Sequence, residues 1–118
     1  MIKIEPIAPT ALKVTPPATL KANDFKEAAP QVDALIRQHG KIRLLVDATC
    51  FTGWENMEAF ETHMNFVKTH QQSIDRIAVI TGQIWQQWFA GVLGLFVHPE
   101  IRMFEQPQEP AARQWLLS

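Results

Sequence analysis

Between residues 23 and 39 the apolar side chains Phe25, Ala28, Ala29, Val32, Leu35 and Ile36 recur at intervals of three and four, which gathers them on one stripe of a helix. The pattern predicts a helix from Asn23 to His39, closed by Gly40, with Asp24 in the first turn where the helix dipole favours negative charge. Pro30 removes a backbone donor in mid-run and is expected to kink that helix or split it in two. Ile42 to Val46 follows as a short β-rich apolar run, the signature of a strand covered on both faces, and it ends at Asp47. Trp54, Met57, Phe60, Met64 and Val67 then mark one face of a second helix, with Glu55, Glu58, Glu61 and Lys68 on its solvated side.

Ile74 to Ile80 predicts another strand, and Trp85, Trp88, Phe89, Val92 and Phe96 a helix stopped by Pro99. Ile101 to Phe104 reads as a last strand. Pro110 sits where proline suits a first helical turn, opening a terminal helix that can bury Ala112, Trp115 and Leu116. Before all of these, Ile2 to Ile7 and Ala11 to Thr15 flank Pro9 in a proline-rich start, so they are expected to form an edge hairpin. The order is ββαβαβαβα. Strands alternating with helices imply an α/β fold with a mostly parallel sheet and an antiparallel N-terminal edge hairpin. No repeat, low-complexity tract or linker interrupts it, so residues 1–118 are expected to form a single domain.

Composition narrows the function classes. The 118 residues are 47% hydrophobic and 19% charged, values of a folded rather than a disordered chain. A net charge of -1 with interspersed signs offers no basic stripe for phosphates, so nucleic acid is not an expected partner. Cys50 is the sole cysteine; with no Cys/His spacing around it, a small buried or half-buried thiol is expected and no metal. Met1 to Ala11 lacks the basic and apolar regions of a signal peptide, which makes the cytoplasm the expected location. The uncharged stretch from Ile77 to Val97 has about the length of a membrane span. Thr81-Gly82-Gln83 divides it, and Gln83, Gln86 and Gln87 are costly in lipid, so no membrane span is expected.

Gly40-Lys41-Ile42-Arg43-Leu44-Leu45-Val46, Gly53-Trp54, Ile77-Ala78-Val79 with Trp85 and Trp88, Arg102-Met103-Phe104 and Ala111 to Leu116 together resemble the SpoIIAA-like proteins of the STAS/SEC14 group. Asp24-Phe25 and Pro30 extend the likeness, which covers roughly residues 20 to 118. The resemblance implies a fold more than an activity. The wider STAS fold serves in anti-sigma-factor antagonists, and SEC14-type relatives bind lipids. Those antagonists carry a phosphorylatable serine in the turn after the strand equivalent to residues 42–46. Here the turn reads Asp47-Ala48-Thr49-Cys50-Phe51-Thr52-Gly53, without serine, so the phospho-switch is not carried over.

In parallel α/β sheets ligands collect beyond the carboxyl ends of the strands. That rule selects the loops Asp47 to Trp54 and Thr81 to Trp85, and the turn with Glu105 and Gln106. Within them Asp47, Thr49, Thr52, Trp54, Thr81, Trp85, Trp88 and Phe89 are the candidate ligand- or partner-binding residues. Asp47 has no neighbouring acid or histidine to make an acid/base pair and is expected to bond loop N–H groups or cap the next helix. Thr49 and Thr52 are equally suited to turn and cap roles. His63 and His70 lie two helical turns apart on a face shared with Asn56, too far for one metal; a solvated flank is expected.

No nucleophile–base pair, glycine-rich phosphate loop or metal spacing is present, so neither an enzyme nor a cofactor is expected. Two functions remain. One is a non-catalytic, self-associating interaction module that uses the apolar girth of the helix from Trp85 to Phe96 on a second copy or a protein partner. The alternative is a small apolar-ligand or lipid-binding protein with a pocket containing Trp54, Trp85 and Trp88.

Overall fold

The computed structural model describes residues 1–82, 85, 87 and 100–118. The expected hairpin is β1 (Lys3–Ala8) and β2 (Ala11–Thr15), paired antiparallel. Its second strand then lies parallel to β4 (Ile42–Asp47), which continues in parallel to β6 (Ile74–Ile80) and β7 (Glu100–Phe104). The resulting order is β1-β2-β4-β6-β7. Two strands of two residues each, β3 (Thr19–Leu20) and β5 (Gly53–Trp54), pair in parallel as a separate ribbon. Runs that short carry no periodicity, so the sequence pattern does not reveal them. Gly53 adopts φ +146°, a backbone state that side-chain-bearing residues rarely enter, and it delivers Trp54 into the ribbon.

Alternation along each strand divides the side chains between two layers. Ile42, Leu44 and Val46 face α1 (Ala22–His39) and α2 (Met57–His70), together with Ile77 and Val79 of β6. Leu45, Ala78 and Ile80 face the opposite way, onto Ala112 and Leu116 of α3 (Glu109–Leu117). Arg43 and Arg76 also point to the α3 side and hold its C-terminus. The Nη1 of Arg43 donates to the Leu116 carbonyl at 2.6 Å, and that of Arg76 to the Trp115 carbonyl at 2.8 Å. Cations at those last carbonyls satisfy acceptors that the helix leaves open and complement its dipole.

Helix α1 decides against one of the two outcomes expected of Pro30: it continues through that residue as a single helix and is not split in two. Pro30 and Lys26 are both exposed, so the carbonyl that loses its bond faces water. Asp24 accepts the Lys21 N–H at 2.9 Å in the first turn, and Gly40, at φ +82°, closes the helix by donating to the Ile36 carbonyl. In α2 the apolar stripe sits differently from the one expected. Met57 is 68% exposed and Trp54 belongs to β5, because Asn56 caps the helix through its Oδ1, which accepts the Ala59 N–H at 2.9 Å. The inward face keeps Met64 and Val67 of the expected stripe and adds Ala59, His63, Phe66 and His70. Trp85 and Gln87 are helical; the rest of the helix expected from Trp85 to Phe96 lies outside the described residues. Among the described residues no helix is long and apolar enough to cross a membrane.

Candidate functional site

The loops that follow β4, β6 and β7 meet as expected. The Ala48 N–H donates to the Ile80 carbonyl at 2.8 Å, and the Thr81 N–H to the Phe104 carbonyl at 3.0 Å. A cleft of about 220 Å³ opens between Thr49, Thr81, Gly82, Glu105 and Gln106. Asp47 shapes its edge by local bonding: its Oδ1 accepts the Thr49 N–H at 3.2 Å and the Thr49 hydroxyl at 2.7 Å, and Lys13 Nζ lies 3.8 Å from Oδ2. Thr52 turns away from this cleft and ties the loop to the segment after β2, its hydroxyl donating to the Ala18 carbonyl at 2.8 Å. Cys50, expected to be covered, is exposed, because the turn carries its side chain outward beyond the end of the sheet.

On the α1/α2 face Trp54 is the hub of an aromatic cluster. Its ring centroid lies 5.2 Å from Phe51, 4.9 Å from Phe60 and 6.1 Å from Trp85. Trp88 and Phe89 lie outside the described residues. The indole Nε1–H of Trp54 donates to Nδ1 of His63 at 3.1 Å, and the imidazole stacks on Phe25 with centroids 4.7 Å apart. Burial there penalises the charged ring and lowers the His63 pKa from 6.5 to about 4. His70, one heptad on, stacks on Phe66 at 4.2 Å. Its Nδ1 sits 2.7 Å from the Phe66 carbonyl oxygen and its Nε2 2.7 Å from Asp33 Oδ1 of α1. Neither histidine is the solvated flank expected of it: the apolar partners from α1 and β5 bind this side of α2 to the body of the protein. Among the described residues no three acidic, histidine or cysteine side chains are grouped to hold a metal ion.

Beside the cluster lies an apolar pocket of about 190 Å³ between the sheet and the two helices. Ile4, Leu44 and Val79 form part of its floor, Ala28 and Val67 part of its roof. His63 and Gln71 are the only nitrogen- or oxygen-bearing side chains that line it among the described residues. The expected pocket containing Trp54 and Trp85 is therefore displaced: those two rings pack beside the space, joined to it through Phe51 and His63. Sequence periodicity gave no sign of this pocket, since its lining consists of ordinary core residues from eight elements and their connections.

The architecture defines an α/β protein with a mixed sheet, helices on both faces and ligand-sized spaces at the sheet ends and beneath the helices. The SpoIIAA-like family matches residues 11–117, and the chain belongs to that family. The match reaches back through β2, beyond the point near residue 20 where the motif resemblance begins. No curated protein matches the sequence. Among solved structures, an uncharacterised protein with a SpoIIAA-like fold from Shewanella loihica PV-4 superposes with a TM-score of 0.80 at 23% identity, over 98% of this chain and 92% of that one. The phosphorylated form of the Bacillus cell fate determinant SpoIIAA gives 0.60 at 10% identity over 98% and 99% of the two chains. Unphosphorylated SpoIIAA, an anti-sigma factor antagonist, gives 0.62 at 8% over 98% of each. At these identities the likeness is one of fold.

Proposed function

We propose that this chain is a non-catalytic SpoIIAA-like regulatory domain that binds a small apolar ligand in the pocket between its sheet and the helices α1 and α2. The observation that carries the reading is the pocket's size and chemistry. The pocket offers about 190 Å³ of space with almost wholly apolar walls, partly open to solvent, where a ligand can bury apolar surface. A ligand bound there stabilises the folded state, so binding and folding are linked by mass action. A pocket lined by apolar groups with one or two convergent polar atoms is also the ordinary form of a small-molecule site.

Self-association, the other function expected from the sequence, rests on the helix from Trp85 to Phe96, of which only Trp85 and Gln87 are among the described residues. Candidate binding residues Thr49 and Thr81 line the separate polar cleft, and Asp47 bonds Thr49 at its edge. The bonds that Asp47 and Thr49 make within their own turn support the turn roles weighed against binding. The ligand reading is tested by native mass spectrometry of protein purified from its own cells, together with thermal unfolding before and after organic extraction. A co-purifying small molecule and a Tm that falls on extraction are expected. A ligand-free protein whose Tm ignores extraction and added single-ring hydrocarbons would contradict it.

A further inference from the structure

We infer that His63 is the recognition group of the apolar pocket: its Nε2–H donates to one neutral acceptor, such as a carbonyl oxygen, on a compact ligand of about eight heavy atoms. The inference rests on the reading that the pocket takes a ligand, and it names which kind. Trp54 fixes the tautomer. An indole nitrogen can only donate, so the Nδ1 that receives the Trp54 Nε1–H at 3.1 Å carries no proton, and in the neutral ring the proton sits on Nε2. Stacking on Phe25 holds the ring in place at the pocket wall. Among the described residues Nε2 has no hydrogen-bond partner. Burial keeps the ring neutral down to about pH 4, so across the physiological range it offers a single donor.

Size and charge bound the ligand further. A dry apolar cavity of about 150 Å³ accommodates benzene, with six heavy atoms; in proportion, about 190 Å³ accommodates roughly eight. That volume encloses a compact group and not the whole of a long acyl chain. No lysine or arginine lines the pocket among the described residues, and an unpaired carboxylate is strongly disfavoured in such surroundings. The class is thus a small neutral ring or short branched chain with one acceptor.

Titration of the extracted protein with acetophenone and with its isostere α-methylstyrene, which replaces the carbonyl oxygen by a methylene, tests this by methyl NMR. In His63→Phe the ratio of acetophenone to α-methylstyrene affinity should fall about tenfold, the scale of one hydrogen bond. Gln71→Leu should leave that ratio unchanged. The carbonyl stretch of acetophenone bound to the unmodified protein should shift to lower frequency, a readout that needs no variant. Benzoate at neutral pH should not bind. If both neutral probes bind but the stretch is unshifted, or if the ratio falls in Gln71→Leu instead, the assignment to His63 is overturned while the pocket stands. If neither probe binds, both readings fall.

Discussion

Protonating His63 places a charge among Phe25, Trp54 and an apolar cavity wall, and the ring resists it down to about pH 4. In the unfolded chain the same imidazole takes its proton near pH 6.5. Between those values the unfolded state binds more protons, so stability rises with pH across the window. The contribution is fully present above pH 6.5 and is lost as the pH falls towards 4, amounting to about 3 kcal/mol over the whole interval. Urea unfolding at a series of pH values should therefore show a shallower loss of stability in His63→Phe than in the unmodified protein. Equal slopes would contradict the buried neutral ring. None of this was legible in the sequence. A seven-residue spacing fixes that His63 and His70 share a face of α2, but which side that face meets depends on Phe25, Asp33 and Trp54, which come from other elements. Asp47 and Thr49 were legible, because an aspartate at a strand end bonds its own turn by local geometry.

At the scale of elements, periodicity located the long segments well: β6 spans the residues expected of it, and α1, β4, β7 and α3 differ by a residue or so at an end. It failed where two or fewer residues carry the structure, in β3 and β5, and where a cap moved a helix start, at Asn56. Proline in α1 shows why a local rule was overridden. The face around Phe25, Ala28 and Val32 packs into the core and holds the helix together across the missing bond, in keeping with tertiary packing as the main source of helix stability. The defect should nonetheless be measurable. Pro30→Ala restores an N–H to bond the Lys26 carbonyl at an exposed position and removes no contact in the core. It should stabilise the protein by about 2 kcal/mol, the helix-interior penalty of proline less its benefit in restricting the unfolded chain. Denaturant titration checks this, and an unchanged or lowered midpoint would mean that the helix depends on the proline.

For the whole molecule, the division of the sheet into two faces decides where function resides. On the α3 face, small residues pack closely: Ala11, Ala78 and Ala112 are fully buried, and Arg43 and Arg76 clamp the terminal helix from the sheet. The α1/α2 face holds larger side chains and leaves about 190 Å³ among them. Sequence patterning distinguishes inside from outside but not full from hollow, which is why the fold and family could be read and the pocket could not. Ala28→Leu probes that distinction most directly, since residue 28 is a buried alanine on the pocket wall and leucine is a comparably good helix former. In ligand-stripped protein the unfolding free energy of Ala28→Leu should rise by about 2 kcal/mol, as three added carbons find apolar space. A fall of about 1–3 kcal/mol, the mark of overpacking a full core, would contradict it.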